Sequence, residues 1–376
     1  MPDDYLHQCL TRQALVSAGI TDAAELFRSY CVYPDYFFGD RHAEVAPYMF
    51  FCDGIQFHYP PHTPVEEFYR YWNCSETGFH LVHTRENGNL RHAEAGFSYY
   101  IEKTVSLLKE GNRDEAWKYL GCLLHFLEDS TFGIHTLEGP DGTDIFVLDR
   151  LSGREITKEL CRVPFTEELA SLTVEPQIFS DNVEEAVPLL YSRYVKSTCS
   201  SREALFDMAA NLLYGCSRRS LQENEKIMFL NALQLAADTI ATVVAIASGR
   251  VAVCRKRKLN DFAPFRYPIG GGGGFALRRY DEQENIFTFG VNSEAELLFH
   301  IPHGEYRRFS ARIRLEEASA VTLQVINDGT CVKELRFSGN PEEQLLMDDP
   351  GGVFGFKLYS DDRCGRICIC GGTFEK

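Results

Sequence analysis

The chain has 376 residues, 44% of them hydrophobic and 24% charged, with a formal net charge of −16. That length allows two domains, each with its own core, and the composition is that of a globular protein rather than a disordered or fibrous one. The negative charge argues against a stable nucleic-acid partner, because phosphate backbones are held through lysine and arginine.

The opening residues, Met1 to His7, have neither a basic start nor an apolar run, so no export leader is expected. Thirteen cysteines, an odd number scattered without regular spacing, suit a reducing compartment. A cytoplasmic protein is therefore expected; a secreted one whose leader has been removed is the alternative. Residues 36–79 read as an aromatic-rich loop, either a satellite core or a wall over a site. Apolar positions then recur at helical spacing over 93–111, Gly111 and Asn112 stop that helix, and another begins near Asp114. Helical patterns return at 155–161, 183–196, 201–215 and 221–249. The apolar stretch from Ile227 to Ser248 carries Asn231, Gln234 and Asp238, each costly in hydrocarbon. It is expected to be the central helix of a bundle, not a transmembrane segment.

The pattern changes near residue 250. Arg255 to Lys258 reads as a solvated basic linker, and Gly270 to Gly274 as a flexible turn that lacks the Lys-Ser/Thr of a phosphate loop. Beyond them, apolar and polar residues alternate over 311–315, 320–326 and 353–359, and Asn327-Asp328-Gly329-Thr330 is a hairpin signal. Cys368 and Cys370 alternate within such a run and read as core thiols rather than a metal knuckle; His300 and His303 read as a loop pair. The expected fold class is multidomain α + β: an all-α helical bundle over 1–252, a linker over 253–274, and a small all-β, jelly-roll-like sandwich over 275–376.

The chemistry concentrates between His125 and His135. His125 and Asp129 are four apart in a helical pattern and share one face; the pattern breaks at Gly133 and His135 follows. Two imidazoles and a carboxylate at one spot suit a borderline-soft divalent cation, zinc first. The plain alternative is a buried, hydrogen-bonded histidine beside an exposed aspartate.

The wider text, Tyr119-Leu120-Gly121 followed by His125, Asp129 and His135, resembles the zinc-dependent phospholipase C family, which shares a fold with single-strand-specific nucleases. Tyr33-Pro34-Asp35-Tyr36 and Gly78-Phe79-His80 match further motifs of that family, and the resemblance spans roughly residues 1–250. It implies a first metal site of Asp35, His80, His125 and Asp129, with Asp129 bridging to a second ion and His135 in the second site. His7 matches a histidine that the family places on a third ion. The family's downstream His/acid pair has no counterpart, since no His lies between His135 and His300; Glu138, Asp141 and Asp144 are the nearby acids. The strand pattern after residue 275 is similar to bacterial carbohydrate-binding modules.

The function these resemblances imply is a zinc-dependent hydrolase, a phosphodiesterase or phospholipase C-like enzyme using metal-activated water. One to three Zn2+ ions are expected, with two favoured. Asp129 is the bridging ligand, and Asp35 a ligand and general base. His7, His80, His125 and His135 are imidazole ligands, and Glu138, with Glu128, is a supporting or replacement acid. A phosphoester or lipid head group is the implied substrate, with a glycan as partner of the sandwich. The alternatives are a diverged hydrolase or lyase acting on a glycoconjugate, and a non-catalytic zinc protein that docks on glycan or membrane.

Overall fold

The computed structural model describes residues 4–36, 92–132, 167–251, 254–266, 277–281, 285–291, 294–317, 320–339, 342–360 and 365–376. The chain divides between residues 252 and 253 into two compact units, one helical and one built of strands.

In the helical unit α1 spans Asp4–Ser17, α2 Ala24–Arg28 and α3 Tyr33–Tyr36, with a 3-10 turn at Tyr30–Val32 between the last two. The long helices are α4 (His92–Lys109), α5 (Arg113–Thr131), α6 (Val183–Tyr214) and α7 (Leu221–Ser248). The α4–α5 break falls where Gly111 takes a left-handed φ of 81°, and α5 opens with Asp114 and Glu115 near its positive end. Ser220 and Glu223 form a reciprocal capping box at the start of α7.

Residues 183–214 make one continuous helix, not the two patterned stretches expected from the sequence. Within the intervening run, Thr198 and Ser201 are buried, and Ser201 Oγ accepts from Asn231 Nδ2 of α7 at 3.0 Å. Packing between neighbouring helices overrides weak propensity here.

α7 is long and apolar enough to cross a membrane by length and composition, yet 67% of its most apolar window is buried inside the protein. Its polar residues are used internally. Asp238 accepts the Gln177 backbone N–H at 2.7 Å and pairs with Arg193 at 2.6 Å, and Gln234 donates to the Glu175 carbonyl. These bonds pin the extended 172–180 segment to the helix.

The second unit holds two antiparallel sheets. The strands are β1 Lys256–Lys258, β2 Pro264–Arg266, β3 Leu277–Asp281, β4 Ile286–Val291, β5 Glu294–Ile301, β6 Arg308–Glu317, β7 Ala320–Asn327, β8 Thr330–Ser338, β9 Glu342–Asp348, β10 Gly352–Ser360 and β11 Gly365–Glu375. One sheet has the order β3-β4-β11-β6-β9 with β1 paired to β11, and the other β2-β5-β10-β7-β8. Inner faces meet through aromatic rings, with Phe309 of β6 packing edge-on against Phe354 of β10 at 4.8 Å. The β7–β8 hairpin turns at Asp328 and Gly329, both with positive φ, as a two-residue primed turn requires.

The basic run expected as linker is structured. Lys256, Arg257 and Lys258 form β1, in register with Glu375, Phe374 and Thr373 of β11, and Lys256 Nζ pairs with Glu375 at 2.6 Å. An exposed edge strand tolerates such charge and is protected by it. The sandwich therefore begins at residue 256 rather than 275. Cys368 and Cys370 are buried thiols. His300 lies within β5, and only His303 is in the turn that follows.

Candidate metal centre

α1 and α5 meet through polar side chains in an otherwise apolar contact. On α1, His7 and Thr11 are one turn apart and lie on the buried face with Leu6, Leu10 and Ala14. On α5, His125, Glu128 and Asp129 cluster on the face that meets them, and all are buried. Gly121 permits the close approach of the neighbouring turn: a Cβ there would stand 2.6 Å from Tyr30 Cβ and 2.7 Å from its carbonyl carbon. Through that approach the next carbonyl, of Cys31, accepts from His125 Nδ1 at 2.8 Å.

The two imidazoles stack, with centroids 4.3 Å apart and planes 23° from parallel. Each has its Nδ1 engaged: His7 donates to Glu128 Oε2 at 2.8 Å, and His125 to the Cys31 carbonyl. Both Nε2 atoms face Asp129, His7 at 3.2 Å from Oδ1 and His125 at 3.3 Å from Oδ2. Donor atoms of all three residues lie within 4.8 Å of one another. Two ligands on a tetrahedral zinc, with bonds of 2.0–2.1 Å, stand about 3.3 Å apart, so this spacing suits a shared ion.

Two further observations fit a cation. His7 Nε2 is buried and its contact with Asp129 Oδ1, at 3.2 Å, is loose and poorly directed. A buried nitrogen so weakly paired is better satisfied by a ligated ion. In addition, burial opposes a charge on His7, but the hydrogen bonds and charges of Asp129 and Glu128 outweigh it and raise its pKa to about 10. Two carboxylates thus hold a positive charge in place. Burial lifts the Glu128 carboxyl above its ordinary range, with the His7 and Thr11 hydrogen bonds acting in the opposite direction.

The expected site residues are thus placed unequally. His7, His125 and Asp129 come together, with Glu128 behind His7. Asp35 lies in α3, directly after the turn that holds His125, and its side chain is outside the described residues. His80, His135 and Glu138 lie outside the described residues, as do Asp141, Asp144 and the aromatic segment from residue 37. Sequence reasoning missed Thr11, which donates to Glu128 Oε1 at 2.7 Å, and the Cys31 carbonyl. Thr11 carries a usable signal, a polar side chain one turn from His7 on an apolar helix face. A backbone carbonyl carries none.

No protein-family model matches the chain, and the comparison with curated proteins returns no match. Among solved structures, the alpha toxin of Clostridium absonum aligns at 11% identity over 95% of this chain and 77% of its own, with a TM-score of 0.32. Alpha-toxin from Clostridium perfringens avian strain SWCP aligns at 12% identity over 94% and 76%, with a TM-score of 0.28. The CBM51-2 and INT domains of Clostridium perfringens ZmpB, in complex with GlcNAc, align at 18% identity and a TM-score of 0.24. That alignment covers 32% of each chain, so this chain spans about a third of the length of that structure.

Proposed function

We propose that this chain is a metal-dependent hydrolase of a phosphoester, with zinc as the ion its donors fit first. The observation that carries the reading is the convergence of His7, His125 and Asp129 with both Nδ1 atoms already bonded elsewhere. An imidazole held in that way presents its Nε2 lone pair, the tautomer a metal needs. Asp129 offers one oxygen to each ring, which supports it as the ligand they share, and bridging from it to a second ion belongs to this proposal. When bound, a divalent ion would polarise a phosphoryl oxygen and acidify a coordinated water. The His/Asp/His spacing on which the phospholipase C resemblance rests supports the same chemistry. Asp35, as ligand and general base, and His80, His135 and Glu138, as further donors to a second ion, belong to this proposal. So do a cytoplasmic location and a glycan- or membrane-contacting role for the β unit.

A second reading is favoured by one observation: all three donors are buried, Asp129 at 5% exposure being the most accessible. A closed ion with no room for water is structural and not catalytic. The deciding experiment combines elemental analysis with hydrolysis of a chromogenic phosphodiester, on wild type and Asp129→Asn. Bound zinc in the wild type, with hydrolysis lost in a folded Asp129→Asn, supports the hydrolase. Zinc without hydrolysis in the wild type supports the structural ion. A wild type that takes up no metal, or full hydrolysis in the variant, sinks the proposal.

A further inference from the structure

We infer that Glu128 is a positioning residue for the metal centre. It holds His7 from behind as the outer member of a carboxylate–imidazole–metal relay, and it supplies the second buried negative charge that suits the centre to a divalent cation. This rests on the metal reading above and adds a residue to it.

Glu128 is fully buried and uses both oxygens: Oε2 accepts from His7 Nδ1 at 2.8 Å and Oε1 from Thr11 Oγ1 at 2.7 Å. His7 and Thr11 sit one turn apart on α1, so a single carboxylate of α5 grips that helix at two points. A plain tie between helices would need only a neutral acceptor. A carboxylate in that position is expensive to desolvate and calls for a compensating charge nearby. The compensation lies across the imidazole. With its Nδ1–H spent on Glu128, His7 turns Nε2 toward Asp129, where that atom is buried 3.2 Å from Oδ1. Glu128 and Asp129 are adjacent on α5 and stand on opposite edges of the same ring. Their two negative charges match one divalent cation and leave a monovalent cation one charge short. A carboxylate behind a ligating imidazole fixes the ring and raises its donor strength, and removing such a partner commonly costs 10–100-fold in metal affinity.

The test separates charge from shape. Glu128→Gln keeps an acceptor for His7 and the volume of the side chain, but removes the charge. Thr11→Val keeps the charge and removes one hydrogen bond. Zinc affinity is measured on the full chain by competition with a chromophoric chelator, and the tautomer of His7 by 15N NMR of the imidazole nitrogens in the zinc-loaded protein. The expected results are an Nδ1–H tautomer in the wild type, affinity lower by 10–100-fold in Glu128→Gln, and a smaller loss in Thr11→Val. A folded Glu128→Gln that binds zinc as tightly as wild type overturns the relay and leaves the metal centre standing. Should Glu128→Gln fail to fold, Glu128→Asp keeps the charge and withdraws it from His7; weakened zinc binding there supports the relay, and unchanged binding overturns it. A wild type that binds no zinc fails at the metal centre itself and takes the relay with it.

Discussion

His7 and His125 stack face to face across the α1–α5 contact, at 4.3 Å between ring centroids, and hold the Asp129 carboxylate between their Nε2 atoms. Neither ring alone makes a site. Removing either, as His7→Ala or His125→Ala, is expected to weaken zinc binding by more than the roughly hundredfold upper range for an outer partner. The double variant is expected to lose much less than the product of the two, because both act on one ion. Chelator competition on the three variants checks this, and multiplicative losses would mean separate ions.

The site also predicts a pH dependence. The folded pKa of His7, about 10, lies above the ordinary histidine value, so the protonated ring stabilises the metal-free fold. That contribution is complete below about pH 6.5 and is lost as pH rises through about 10. Zinc must displace the proton. Its apparent affinity is expected to rise about tenfold per unit between pH 6 and 8, with one proton released per ion from His7. Calorimetry in buffers of different ionisation enthalpy measures that proton, and a flat affinity across the range would contradict the assignment.

Gly121→Ala tests how α5 is seated. The added methyl meets Tyr30 at 2.6–2.8 Å through its Cβ, carbonyl carbon and oxygen, mostly backbone that cannot swing aside. A destabilisation of about 1–3 kcal/mol is expected, as for other overpacked sites. Weaker zinc binding should accompany it, because the displaced turn carries the carbonyl that orients His125. Denaturant unfolding and chelator competition on one preparation measure both.

Glu225 of α7 is a separate liability. Its Oε2 is buried without a hydrogen-bond partner, and burial raises its carboxyl pKa to about 7. The folded protein holds this proton more tightly than the unfolded chain, so the relative stability is greatest at low pH and is lost as pH rises through about 7. Glu225→Gln should stabilise by roughly 1–2 kcal/mol at pH 8 and by little at pH 5. Denaturation midpoints at the two pH values decide it; an equal effect at both would remove ionisation as the cause.

What could be read in the sequence was local. The stop at Gly111 and Asn112, the alternation of β6 and β7, and the Asp328-Gly329 turn are short-range effects with short-range signals, whereas β10 is buried continuously from Gly352 to Phe356 instead of alternating. His125 and Asp129 were visible for the same reason, being one helical turn apart. The Glu128–His7 bond joins residues 121 positions apart, and no local pattern announces it. It depends on how α1 lies against α5. Charge misled in the opposite way at Lys256 to Lys258, where a run that looks solvated is solvated on its side chains while its backbone completes a sheet.

That edge pairing has one more consequence. The first strand of the β unit runs antiparallel beside its last, Lys256 opposite Glu375. The two lie about 5 Å apart, the spacing of neighbouring strands. Each therefore shields the other's backbone: fraying at Lys256 bares the edge of β11, and fraying at Glu375 bares that of β1.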